Sequence, residues 1–162
     1  MMSEPNEQAK PPEAPVFRLQ KLYLKDFSFE NPNAPEVFLQ RNEPRVEVNL
    51  ATKHRRVDND NWEVTLEVNA KVTSGDKTLF LVEVEHAGLF LLKNIPDQHM
   101  PPVLAVECPT VMFPFTRQII SQATVDGGFV PLMLEPVNFL ALYENARRQQ
   151  QQQQQGPPPQ AH

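Results

Sequence analysis

The sequence predicts an α+β fold, a four-stranded antiparallel sheet followed by two helices. Three observations carry it. Between Val16 and Leu92 apolar and polar residues alternate at the two-residue period of half-buried strands. From Val106 to Ala123 the apolar residues recur at helical spacing instead. Beyond that stretch one short periodic segment remains, Val137 to about Arg148. Strands first and helices afterwards is the order of a sheet with helices gathered on one side.

The first strand is VFRLQKLYLKDFSFE, Val16 to Glu30, with Phe17, Leu19, Tyr23, Phe27 and Phe29 on one side. Arg18, Gln20, Leu24, Asp26, Ser28 and Glu30 take the other. Asn31-Pro-Asn-Ala-Pro35 stops it, because prolines withhold ladder donors and asparagines favour turns. Glu36 to Pro44 is a crossing loop carrying Val37, Phe38 and Leu39. Arg45 to Ala51 alternates again, with Val46, Val48 and Leu50 inward, and His54 to Asn61 is a charged turn. Trp62 to Val72 sets Val64, Leu66, Val68, Ala70 and Val72 against Glu63, Thr65, Glu67, Asn69 and Lys71. Ser74-Gly-Asp-Lys77 turns the chain, and Leu79 to Leu92 returns antiparallel with Phe80, Val82 and Val84 inward and Glu83 and Glu85 outward. The four strands read as a meander-like sheet.

Asn94 to Cys108, punctuated by Pro96, Pro101 and Pro102, reads as a connection to the central helix. Thr110 is placed to cap that helix, with Pro114 near its start. At ~100° per residue, Val111, Met112, Phe113, Phe115, Ile119, Ile120 and Ala123 fill an arc of roughly 200°, wider than one sheet face covers. A helix sandwiched against another subunit accounts for this, as does one amphipathic helix with some apolar residues exposed. Val125 to Leu134 joins the glycine pair Gly127-Gly128 to apolar residues in a mobile loop. Pro136 opens the second helix, whose stripe is Phe139, Leu142, Tyr143 and Ala146 and whose last turn holds Arg147 and Arg148. The glutamine tract can extend it for a few residues until Gly156 and the prolines.

Residues 1–15 read as a disordered tail, 16–148 as one domain and 149–162 as a low-complexity Gln/Pro tail. The proline-rich start has no run of about 7–15 apolar residues, so a cytoplasmic chain with no direct membrane insertion is expected. The net charge of -5 and the lack of a basic patch argue against nucleic acid. One cysteine, Cys108, excludes an internal disulfide and a four-cysteine zinc site. Ser3, Ser28, Ser74 and Ser121 sit in no nucleophile elbow, and His54, His86, His99 and His162 are scattered rather than spaced as ligands. No catalytic residue, cofactor or metal is therefore expected.

Two patterns remain. The outward strand face collects Asp26, Glu30, Glu47, Glu63, Glu67, Glu83 and Glu85 with few basic residues among them, which suits either a solvated face or a basic partner. Leu24 and Leu81 fall on the same face as apolar anchors. The second pattern is apolar excess in loops: Val37, Phe38 and Leu39 in one, Phe129, Val130, Leu132, Met133 and Leu134 in the other. Both loops can tuck into the core, or they can form a groove for extended apolar peptide.

Tyr23 to Phe38 (YLKDFSFENPNAPEVF), Cys108 to Arg117 (CPTVMFPFTR) and Glu135 to Phe139 (EPVNF) together resemble the SecB family of bacterial protein-export chaperones. The resemblance spans about Phe17 to Tyr143. It implies a homotetramer, a dimer of dimers with helices between two sheets. It implies an ATP-independent holdase, not an enzyme, that keeps precursor proteins unfolded and delivers them to the SecA translocation ATPase. Motor-docking positions fall on Asp26, Glu30, Leu81 and Glu83. The client groove falls around Phe38, Val46, Val48, Leu50, Phe129, Leu132 and Leu134. Two departures are visible: the crossing loop has no tryptophan, and the tail is rich in glutamine and proline. The competing expectation is a carrier of small apolar ligands, which would copurify with its ligand and ignore unfolded chains.

Overall fold

The computed structural model describes residues 13–154; the two tail ends, with Gly156, the last prolines and His162, lie outside the described residues. β1 (Val16–Glu30), β2 (Arg45–Arg56), β3 (Asn61–Ser74) and β4 (Lys77–Lys93) form one antiparallel sheet in the order β1-β4-β3-β2. The last three strands make a meander, but β1 returns beside β4, so the sheet is a Greek key rather than a plain meander. Glu36–Leu39 forms one 3-10 turn within the crossing, with Val37 buried. The charged stretch from His54 is not a turn: β2 continues to Arg56, Arg55 lies opposite Glu63, and the chain reverses only after it.

β1 departs most from simple alternation. Its pairing with β4 slips by one residue between Leu19 and Lys21 and again between Leu24 and Asp26, leaving Gln20 and Lys25 as the extra residues of two bulges. Each slip exchanges the faces, so the middle of the strand is inverted while both ends stay in phase. Leu22 and Leu24 therefore face the helices, and Tyr23 faces the other side, where its hydroxyl donates to Glu63. The expected placing of Leu24 on the acidic face and Tyr23 inward is corrected by these bulges.

The expected connection before the central helix is itself helical. A 3-10 turn (Asp97–His99), α1 (Met100–Pro102) and a π turn (Val103–Glu107) lead directly into α2 (Cys108–Asp126). The π turn is closed by the Cys108 N–H donating to the Val103 carbonyl, a wider loop that absorbs the N–H missing at Pro109. Thr110 therefore does not cap α2; its hydroxyl donates back to the Val106 carbonyl at 2.6 Å. Pro114 lies inside the helix, on its exposed side, where water can serve the carbonyl it leaves unpaired. α3 (Phe139–Gln154) begins after Asn138, whose side chain accepts from the Ala141 N–H, so Pro136 precedes the helix and Asn138 caps it. In α3 Phe139 is the buried residue, while Leu142 and Leu140 stay exposed.

α2 lays Cys108, Met112, Phe113, Ile120 and Ala123 on the sheet, together with two buried hydroxyls, Thr116 and Thr124. Thr116 Oγ1 sits 2.8 Å from Nδ1 of buried His86. Burial lowers the pKa of that histidine, keeping it neutral between sheet and helix. The helix can come this close because β4 has Gly88 opposite Met112. A Cβ there would meet Phe90 at 2.8 Å and Leu19 and Met112 at 3.2 Å. Gly88→Ala is expected to cost about 1–3 kcal/mol by overpacking, read as a lower denaturant midpoint with unchanged m-value.

Candidate functional site

The helix side of the β2 edge is open. Every β2 residue except Leu50 is exposed, and the segment between α2 and α3 runs alongside as an irregular wall. Between them lie two cavities. One, of about 580 Å³, is bounded by Val46, Val48 and Leu50 of β2 and by Leu132, Leu134 and Val137 of the wall. The other, of about 380 Å³, is bounded by Val37 and Phe38 of the crossing, Val46, Phe80, Phe129 and Leu132. Val46 and Leu132 line both, so the two are neighbouring parts of one apolar groove.

Aromatic packing shapes the second cavity. Phe129 lies between Phe38 and Phe80, with ring centroids at 5.2 and 4.8 Å, and Phe80 stacks on Phe29 at 5.7 Å. Gly128, at φ 93°, turns the chain over the Phe38 ring. The Asn31 side chain donates to the Gly127 carbonyl at 3.0 Å and ties the turn after β1 to the same loop. The arrangement offers concave apolar surface, and among the described residues its lining carries one carboxylate, Glu135, with no second acid, base or nucleophile beside it. Cys108 is fully buried, and burial pushes its thiol up to about 12, so it stays protonated.

On the opposite side of the sheet the acidic residues divide into two groups. Glu63 is buried and accepts from Tyr23, from Lys25 at 3.1 Å and from Arg55 at 3.1 Å. The Tyr23 hydrogen bond, aided by the two cations, holds its carboxyl down at about 2 against the burial that raises it. Lys53 bridges Glu67 at 2.7 Å and Glu85 at 3.1 Å, and Glu47 lies opposite Lys71. Basic residues therefore accompany more of this face than strand alternation alone suggested. Among the described residues, Asp26, Glu30 and Glu83 make no ion pair, and they sit together with Leu81 on adjoining β1 and β4: Glu30 is opposite Leu81, and Asp26 opposite Glu85.

Residues 10–153 match the family described as preprotein translocase subunit SecB. The chain belongs to the SecB family. A protein-export protein SecB of Desulfotalea psychrophila is 58% identical over 150 residues, 91% of this chain and 95% of the relative. That of Magnetococcus marinus is 53% identical over 148 residues, 91% of this chain and 94% of the relative. A SecB-like chaperone of Mycobacterium tuberculosis, solved with a peptide from an antitoxin, shares the fold at a TM-score of 0.59 and 15% identity, over 75% of this chain and 90% of its own. This SecB chain is thus a chaperone of protein export. Among its described residues no helix is long and apolar enough to cross a membrane.

Within the SecB fold, Val48, Leu50 and Leu134 border the larger cavity, Phe38 and Phe129 the smaller, and Val46 and Leu132 both. Phe113 and Phe80 also line the groove and were not singled out from the sequence. Strand alternation points Phe80 inward and helical spacing puts Phe113 in the wide apolar arc of α2, and only the gap left beside them by the wall segment turns them into groove floor. Leu24 leaves the acidic group altogether. It lines a cavity of about 520 Å³ between β1 and α2 with Leu22, Phe27, His86, Phe115 and Ile119.

Proposed function

We infer that this chaperone is an ATP-independent holdase of the cytosol that seats extended apolar segments of unfolded precursors in the β2 groove. It hands them to the SecA ATPase through Asp26, Glu30, Leu81 and Glu83. The observation that carries the first part is the continuity of the two cavities through Val46 and Leu132, on a half-exposed strand edge. The peptide held by the SecB-like structural neighbour supports the same reading. Client binding draws on ~25 cal/mol per Å² of apolar area, offset by the ordering of the client, so single grooves bind weakly and several grooves add avidity.

Several grooves require assembly, and α2 supplies a face for it. Val111, Phe115 and Val125 are 38%, 49% and 43% exposed, beside the open β1–α2 cavity. A dimer of dimers with these helices between two sheets would cover them, which is the arrangement the family resemblance implies. Light scattering should then report a tetramer, and substoichiometric tetramer should suppress aggregation of a denatured precursor. A monomer with no effect on aggregation would reject the reading, and copurification of a bound small molecule would favour a carrier instead.

The unpaired carboxylates fit a basic docking partner by charge complementarity. Glu83→Gln should weaken motor binding roughly three- to tenfold at low salt, with the difference shrinking as salt screens it, and leave client binding unchanged. Normal motor affinity of that variant at low ionic strength would remove Glu83 from the docking surface.

A further inference from the structure

The Leu132 side chain packs on the core, and its backbone N–H is tied by one side chain. The Thr124 hydroxyl accepts from the Leu132 N–H at 3.0 Å and donates to the Ser121 carbonyl at 2.7 Å. Thr124 is completely buried, and its own carbonyl accepts from the Phe129 N–H at 3.0 Å. Among the described residues, no other backbone N–H from Val130 to Val137 is recorded in a hydrogen bond. Packing holds the wall segment elsewhere, with Leu134 buried and Met133 Sδ accepting from the Ser121 hydroxyl at 3.4 Å. Its one backbone N–H tie among the described residues thus falls at the residue that lines both cavities. A buried hydroxyl with both its roles filled is a rigid tie, since breaking it strands a donor and an acceptor away from water.

We propose that Thr124 is a positioning residue for client capture: by pinning Leu132 as the saddle between the cavities, it sets the separation at which a client must carry two apolar clusters. The proposal rests on the groove reading above and adds to it a spacing rule. An extended chain advances about 3.3 Å per residue, so a fixed saddle admits few spacer lengths and a loose one admits many. A client that reaches both cavities gains the second contact intramolecularly; one that fills a single cavity gains nothing from the saddle.

The test uses the full-length protein and synthetic peptides carrying two leucine/phenylalanine clusters joined by polar spacers of increasing length, with a single-cluster peptide as reference. With the unaltered protein, affinity should peak at one spacer length and exceed the single-cluster peptide at least roughly tenfold there. Thr124→Val, equal in shape but without the hydroxyl, should flatten the spacer dependence and reduce the advantage to within about threefold, leaving single-cluster affinity unchanged. Thr124→Ser should restore the peak. A merely structural role would lower both affinities together. A flat spacer series with the unaltered protein overturns the proposal, as does a peak that survives Thr124→Val or fails to return in Thr124→Ser. Should Thr124→Val not fold, the unaltered protein still decides through the spacer series and through exchange of the Leu132 amide, which must be slow. If neither class of peptide binds the unaltered protein, the groove reading itself falls.

Discussion

Val48→Glu is expected to reduce affinity for an unfolded client roughly thirty- to a hundredfold while the fold persists. Val48 is 45% exposed and lies on the edge strand opposite Ala70, so in the free protein a glutamate can turn its carboxylate into water. When a client seats in the larger cavity that escape closes. Desolvating the carboxylate against apolar side chains then costs about 2–3 kcal/mol, and each 1.4 kcal/mol is a factor of ten in affinity. Val48→Leu, which keeps the lining apolar, should bind as the parent does. Titration of a denatured precursor into both variants reads the difference. Binding of Val48→Glu within about threefold of the parent would mean that clients do not use this cavity.

Glu63→Ala is expected to destabilise the chain by about 1–3 kcal/mol, because it leaves the part-buried Tyr23 hydroxyl without its acceptor, while the more exposed Lys25 and Arg55 can turn to water. The cluster ties β1 to β3 across the intervening β4, so its loss loosens the strand that carries the bulges. The same site shapes stability against pH. The carboxyl of Glu63 is held at about 2 in the folded chain, below its ordinary 4.5, so its contribution is present above pH 4.5 and lost as pH falls toward 2. Tyr23 behaves oppositely. Burial first, and then the hydrogen bond to Glu63, raises its hydroxyl from 10.0 to about 12, so that contribution is present below pH 10 and lost as pH rises toward 12. Buried His86, whose pKa is lowered from 6.5, adds a loss as pH falls below that value, and Cys108, raised from 9.0 to about 12, adds one as pH rises past 9. Denaturant midpoints should therefore be flat only between about pH 6.5 and 9, and in Glu63→Ala the slope below pH 4.5 should shrink. An unchanged acid slope would show that the cluster does not govern stability there.

The strands were legible wherever alternation ran unbroken, as in β3, whose five inward residues Val64, Leu66, Val68, Ala70 and Val72 are all buried. Alternation failed at β1, because a bulge adds a residue without changing composition. Gln20 looks like any other outward residue, while Lys25 shares the inward parity of Tyr23 and Phe27 and reaches Glu63 on the outer face only because the register slips there. The acidic face was legible as a collection of carboxylates, but which of them are neutralised was not. Glu63 meets Lys25 only because β1 lies beside β4, and Glu63, Glu67 and Glu85 meet Arg55 and Lys53 because β2 runs on to Arg56 beside β3 instead of turning at His54. The early helical turns from Asp97 onward were hidden by their prolines, which are tolerated in first turns yet read as loop markers.

Local pattern alone determined the α+β class, the four strands, the two main helices and the apolar character of the loops, because each rests on residues close in sequence. Strand order, the inverted middle of β1, the partners of the carboxylates and the saddle at Leu132 were decided by the tertiary structure. Each of these depends on which distant segments meet, and hydrophobic periodicity records only whether a side chain is buried, never against what.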